Sequence, residues 1–262
     1  MTDIRHINCG TLLVPGYPTV VCHCLALIDT DEVVLVDTGI GLLDVRDPDA
    51  RLGRELIDAA GFQFNTWDTA VSRLESMGVD RSRVGHIVLT HADPDHAGGL
   101  ADFAGAQVHV SDEERGHVES GHPRYVQRHF EHGPRWRTYA ADDNATSWFG
   151  LPARRIDLPV DAEVLIVPLP GHTLGHCGVA IAQDDGWFLH AGDAYYLRAE
   201  LTDSHHPAGQ LAAARADDDA KRLESLATLR RIVNDHSDEV EVCGYHDLNE
   251  LPAHCVDSDK PD

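Results

Sequence analysis

An α/β protein, with sheets faced by helices, is the fold class this sequence predicts. Short apolar, β-branched segments recur along the chain, and amphipathic runs fall between clusters of them. In addition, 42% of the 262 residues are hydrophobic, enough for a sizeable core without disulfide staples. No Gly/Ser linker, repeat or composition break divides the chain, so one domain over 1–262 is expected, with a polar tail at 257–262 prone to fray.

Taken in order, the strand-like segments are 19–28, 33–37, 86–89, 106–110, 164–167, 178–182, 186–190 and 239–243. Helical patterns cover 49–60 and 66–78, a capped start stands at Ser111-Asp112-Glu113-Glu114, and a long amphipathic run extends over 218–234. Two intervals, about 41–83 and 116–150, are longer than a crossover requires and read as insertions. The second is rich in aromatic rings and histidine (His117, His122, Tyr125, His129, His132, Trp136, Tyr139, Trp148). It reads either as a surface helical hairpin with its own apolar cluster or as a lid over a substrate pocket; it also offers a contact for a homodimer.

The formal net charge is −23, and no Lys/Arg-rich run gathers the few cations, which argues against nucleic acid as a partner. The N-terminal residues show no basic region followed by an apolar stretch, and no run of about 18 apolar residues occurs. A soluble, cytoplasmic protein that does not bind membrane is therefore expected. The six cysteines form no CxxC pair. Cys22 and Cys24 lie two apart in a predicted strand, on one face, and read as buried reduced thiols.

Chemistry concentrates in Thr90-His91-Ala92-Asp93-Pro94-Asp95-His96, where an apolar strand runs into four metal-ligand side chains within six positions. A strand end holds such groups on a rigid element, and Pro94 with Gly98 and Gly99 lets the chain turn tightly behind them. Three later islands repeat the pattern of an apolar strand, a glycine and a ligand: Gly171-His172 with His176, Gly192-Asp193, and Gly244-Tyr245-His246. They form one site only if their strand ends share one edge of the core, where α/β folds place their sites. His190 and the pair His205-His206 read instead as strand-end packing and a solvated loop. His23, His86, His109, His236 and His254 have no motif around them.

In order and content these motifs resemble the metallo-β-lactamase superfamily of metal-dependent hydrolases, over nearly the whole chain. Val36-Asp37-Thr38-Gly39 matches the family's first motif, His91 to His96 its main ligand motif, Gly171-His172 the third, Gly192-Asp193 the fourth and His246 the fifth. The resemblance implies an αββα sandwich, two mixed sheets face to face with helices outside, and a dinuclear site at one edge. It assigns His91, Asp93 and His172 to one metal, Asp95, His96 and His246 to a second, and Asp193 as the bridge, with Asp37 and His176 supporting them. The chain departs from the family at Asp93, where histidine is usual. The harder, more anionic donor set that results brings iron or manganese into contention beside zinc, the first expectation. In a single-metal account, Asp93 would only support the site.

Two such ions, about 3.5 Å apart, imply a shared hydroxide that attacks a carbonyl. Asp95 then orients the nucleophile or passes its proton to the leaving group. Tyr196, three residues after Asp193, is placed to donate to the developing oxyanion. That Asp-x-x-Tyr resembles the N-acyl homoserine lactonases of the superfamily, so a lactone or ester hydrolase acting on a small molecule is expected. A glyoxalase II-like thioesterase is the alternative. A diiron redox site and a non-catalytic metal or ligand sensor stand behind it.

Overall fold

In the computed structural model, which describes residues 2–140 and 145–255, two mixed sheets pack face to face. The first contains β1 (Asp3–Leu12), β2 (Val20–Ile28), β3 (Val33–Val36), β4 (Phe62–Gln63), β5 (Val84–Val88), β6 (Gln107–Ser111) and β7 (Arg135–Tyr139), in the order β4-β1-β2-β3-β5-β6-β7. The second contains β8 (Thr146–Trp148), β9 (Leu151–Ile156), β10 (Val164–Pro168), β11 (Cys177–Gln183), β12 (Gly186–His190) and β13 (Val240–Cys243), in the order β13-β12-β11-β10-β9-β8. In the first sheet, β3, β5, β6 and β7 run parallel; in the second, only β12 and β13 do.

The period-two alternation of the strands sorts their side chains into layers. Leu25, Leu27, Val34, Val36 and Val88 of the first sheet meet Ile166, Val179, Ile181 and Phe188 of the second in the central core. Alternate residues point outward. Cys22, Cys24 and Leu35 pack under α4 (Ala70–Ser76), while Leu165, Val167 and Leu189 pack under the long α8 (Asp219–Asp235). The result is the helix–sheet–sheet–helix order that the family resemblance implies. All six cysteines are buried and unpaired, Cys22 and Cys24 on one face.

The helices start where local chemistry provides a cap. Asp218 opens α8 by accepting from the Lys221 amide, and Ser111 opens α6 (Asp112–Glu119) by accepting from the Glu114 amide. The run 49–60, a single helix by its periodicity, is two, α2 (Pro48–Arg51) and α3 (Arg54–Ala60), because Gly53 between them takes a φ of 83°. The run 66–78 begins as a short 3₁₀ turn before α4.

Two segments differ from the sequence reading. β1 is not evident in the sequence, since Asp3, Arg5, His6 and Asn8 interrupt its apolar pattern; pairing with β2 and β4 makes it a strand. The 116–150 interval does not form a helical hairpin. After α6 it makes a 3₁₀ turn and then supplies an outer strand to each sheet, β7 and β8. Its Val118 and Tyr125 do form a small apolar cluster with Ala92, Phe130 and Trp136. Among the described residues, no helix is long and apolar enough to cross a membrane. The tail at 257–262 lies outside the described residues.

Leu229 lies at the centre of the α8 contact and is fully buried. Leu229→Ala should destabilise the fold by about 2–5 kcal/mol, read as a lower denaturant midpoint at unchanged slope.

Candidate metal centre

The chain leaves β3, β5, β10, β12 and β13 at the same edge of the sandwich, and each exit carries a functional side chain. Asp37 follows β3. His91 and Asp93 follow β5, and Asp95 and His96 stand in the single turn α5 (Pro94–Ala97). His172 and His176 lie between β10 and β11, Asp193 follows β12, and Tyr245 with His246 follows β13. Strand ends hold these groups from residues spread between 37 and 246.

The seven candidate ligands converge. Their donor atoms form three overlapping groups, His91–Asp93–His172, His91–His96–Asp193 and Asp95–His96–His246, each within 4.8 Å. Asp193 stands between the outer two, with one oxygen 3.3 Å from both His172 Nε2 and His246 Nε2 and the other 3.3 Å from His96 Nε2. His246 Nε2 is 3.5 Å from Asp95, and His172 Nε2 is 3.1 Å from Asp93.

A cation fits this arrangement. His91 Nε2, His96 Nε2 and one Asp193 oxygen are buried without a hydrogen-bond partner. Three unsatisfied buried polar atoms aimed at one small volume are costly unless something there binds them. The field has the sign a metal requires. Burial opposes protonation of His96 and His246, yet the carboxylates around them, Asp193 foremost, raise both above the ordinary histidine range. Four imidazoles and three carboxylates suit zinc, iron or manganese.

Supporting contacts fix the candidate ligands. Asp37 is held at a φ of 58°, a left-handed conformation sparsely occupied by residues with a side chain. In return its carboxylate accepts from the Thr90 amide and hydroxyl, each at 2.8 Å, and lies 2.9 Å from His96 Nδ1. This orients Nε2 of His96 toward the cluster. His246 is oriented likewise, its Nδ1 donating to the Val21 carbonyl at 3.0 Å. His176 supports the cluster through the main chain. Its Nδ1 donates to the Leu169 carbonyl and its Nε2 accepts the Asp193 amide at 3.0 Å, so it positions the backbone of Asp193. Burial, followed by His172, lowers it to about 4, which keeps that nitrogen an acceptor. Gly192 is required beside it, since a Cβ there would fall 2.6 Å from His176 Nε2.

Four residues at the site escape the sequence reading. Thr90 is one, through its two bonds to Asp37. Tyr245 stacks on His96, ring centres 3.7 Å apart, and donates to the Asp95 carbonyl at 2.6 Å. Glu114, buried in α6, accepts from the Ala92 amide, the Tyr125 hydroxyl and, at 2.6 Å, the Thr173 hydroxyl, and so clamps two ligand loops together. Arg124, between α6 and β7, forks onto both oxygens of Asp93 at 2.6 and 2.7 Å. Burial disfavours the Asp93 charge, but Arg124 and the adjacent histidines outweigh it and hold the carboxyl well below the usual range. Thr90 and Tyr245 adjoin ligands in sequence. Arg124 carries no local mark, and only the charge added by Asp93 hints that a cation stands near.

Tyr196 is buried with its ring edge-on to His172 and His246, centres 5.8 and 5.3 Å away. Burial, and then the charges of Asp193 and Asp93, push its phenol well above the ordinary range, so it stays protonated. It lines a cleft that reaches Asp93, Asp95, Asp193 and His246 and is walled by apolar side chains, including Leu12, Val14, Val20, Leu56, Phe62 and Leu211. The described lining includes no residue of 116–150, although Arg124 from that interval contacts Asp93 and Arg215 of the lining. His190 packs at the end of β12, donating to the His23 carbonyl at 2.7 Å, and His205 is exposed.

The two mixed sheets between helices and the cluster at their edge define a metallo-hydrolase fold. Residues 17–240 match the metallo-β-lactamase superfamily, and the chain belongs to it. Over 205 residues it is 38% identical to a "probable metallo-hydrolase" of Mycobacterium tuberculosis and to one of Mycobacterium bovis; the match covers 76% of this chain and 64% of each relative. The chain thus spans under two thirds of those relatives' length. Among solved structures it is similar to an N-acyl homoserine lactone hydrolase with N-hexanoyl-L-homoserine at its catalytic metal centre (TM-score 0.71, 20% identity, 94% of this chain and 93% of that one). It is also similar to a quorum-quenching N-acyl homoserine lactone lactonase (TM-score 0.69, 18% identity, 98% and 95%). A dizinc quorum-quenching lactonase lies further off (TM-score 0.59, 16% identity, 88% and 74%). At these identities the likeness is one of fold.

Burial raises the Glu114 carboxyl to about 7, from an ordinary 4.5. The folded chain thus holds a proton that the unfolded chain has released, and the stabilisation from this group is full below about 4.5 and lost as pH rises through 7. Glu114→Gln should flatten the fall of stability across that window, read by denaturant titration of metal-free protein. An unchanged slope would count against the clamp being protonated.

Proposed function

We propose that this protein is a metal-dependent hydrolase of lactone or ester carbonyls on small molecules, with zinc the favoured metal and two ions the full load. His91, Asp93 and His172 would hold one ion, Asp95, His96 and His246 the other, with Asp193 between them. Bound there, divalent ions supply Lewis acidity and a water acidic enough to ionise near neutral pH.

The observation that carries the substrate class is Tyr196. Its protonated hydroxyl has no hydrogen-bond partner among the described residues and borders a cleft that ends at the ligand cluster. A phenol so placed donates to the oxygen of a carbonyl as negative charge builds on it. Asp95, the most exposed carboxylate of the cluster at 13%, would take the proton released by the attacking water and pass it to the departing alkoxide. The apolar wall of Leu12, Val20, Leu56 and Phe62 suits an acyl chain and excludes water from it. The lactonase neighbours, one with an acyl homoserine product at its metal centre, support the same direction.

Protein loaded with zinc, manganese or iron should hydrolyse an acyl homoserine lactone or an aryl ester in preference to a glutathione thioester. No turnover of any of the three at confirmed ion loading would sink the reading; preference for the thioester would move it to the glyoxalase II-like class. Tyr196→Phe should keep its metal and slow lactone turnover by about tenfold to a thousandfold. Asp193→Ala should lose bound metal and activity together, checked by elemental analysis beside the assay.

A further inference from the structure

Arg124 engages one half of the ligand cluster and leaves the other alone. Its Nε and one terminal nitrogen pair with the two oxygens of Asp93, and that same terminal nitrogen lies 2.6 Å from Nε2 of His172. The other terminal nitrogen is tied behind the site, to the Arg215 carbonyl at 2.6 Å and the Asp217 carboxylate at 3.2 Å. The guanidinium is therefore anchored by groups outside the cluster as well as within it. Among the described residues, no Lys or Arg makes an ion pair or hydrogen bond with the side chains of Asp95, His96 or His246.

Lone pairs limit what His172 can bind. Arginine remains protonated and carries only donors, so in its contact with His172 the imidazole nitrogen accepts, and the 3.1 Å approach of that same nitrogen to Asp93 is then a contact and not a hydrogen bond. That nitrogen has one lone pair, and a pair given to an N–H is not available to a metal ion. Asp93 has lone pairs to spare and could serve both; His172 cannot. Charge acts in the same sense, because a divalent ion bound by His91, Asp93 and His172 would sit within a few ångströms of the guanidinium.

We propose that Arg124 gates the first metal position. While the guanidinium is seated, the centre takes a single divalent ion through Asp95, His96, His246 and Asp193. The His91–Asp93–His172 position fills only when Arg124 releases His172. The proposal rests on the reading that this cluster binds divalent metal. It is tested by ion counts and spectra, so failure of the hydrolase assignment leaves it standing, and its own failure leaves that assignment intact.

Full-length protein stripped with a chelator should take up zinc in two separated steps, monitored by competition with a chromophoric chelator and by elemental analysis. In Arg124→Met, shown to be folded by circular dichroism, the weaker step should tighten by about tenfold to a hundredfold, the range for losing a competing charged hydrogen bond. Two wild-type steps of matched affinity, or a weaker step unchanged in the variant, would overturn the proposal. A second measurement needs no variant. In wild-type protein, the first equivalent of zinc should shift the ring resonances of His96 and His246 and leave the Arg124 Nε–H resonance in place, with only the second equivalent moving it. Displacement of that resonance by the first equivalent would also overturn the proposal.

Discussion

Negative charge crowded into a buried space is the constraint on which the rest of this structure depends. Asp37, Asp93 and Asp193 are buried and Asp95 nearly so, all at one edge of two packed sheets. Ionised carboxylates survive burial only when cations or several donors meet them. The three buried ones have different answers. Asp37 takes three donors from Thr90 and His96, Asp93 takes the fork of Arg124, and Asp193 lies among imidazoles. The strained backbone at Asp37, the Gly192–His176 contact and the Glu114 clamp all hold these groups in place.

The histidines do not share one chemistry: His96 and His246 differ from the core histidines, and His91, buried beside His96, is lowered although it faces the same cluster. Around the carboxylates, His96 and His246 are drawn toward the charged form. Away from them, histidines serve as neutral hydrogen-bonding members of the core. His86, His109 and Tyr139 form a chain with links of 2.9 and 2.7 Å, and burial lowers His109 to about 3. His6 and His23 pair at 2.8 Å, with His6 lowered to about 4. The same residue type is a candidate ligand in the cluster and a core hydrogen-bonding group away from it.

Much of the architecture is legible in the sequence because it depends on local pattern. Short apolar, β-branched runs mark β2, β3, β5, β6 and β10 to β13, and the capping residues mark α6 and α8. β1 is not legible, since its polar residues conceal a strand that exists through its partners. The part played by 116–150 is hidden for a related reason: β7 and β8 are edge strands, half exposed, and their order is imposed by the sheets they join. Gly53 shows the limit of helical periodicity, which continues through a residue where the backbone does not.

By itself the sequence determined which donor types the protein carries and in what order they leave the strands, because ligand identity and the strand-then-glycine pattern are local properties. Together with the resemblance to the superfamily, that nominated His91, Asp93, Asp95, His96, His172, Asp193 and His246 as one candidate cluster. Only the tertiary structure decided how these atoms are shared. It stacked Tyr245 on His96, turned His176 toward the Asp193 backbone, and brought Arg124 across from the α6–β7 connection to Asp93 and His172. Those contacts join residues up to 150 positions apart through the packing of two sheets. The physical reason is that a side chain's chemistry belongs to its residue, whereas the partner of its last lone pair is settled by what the fold carries within about 3 Å.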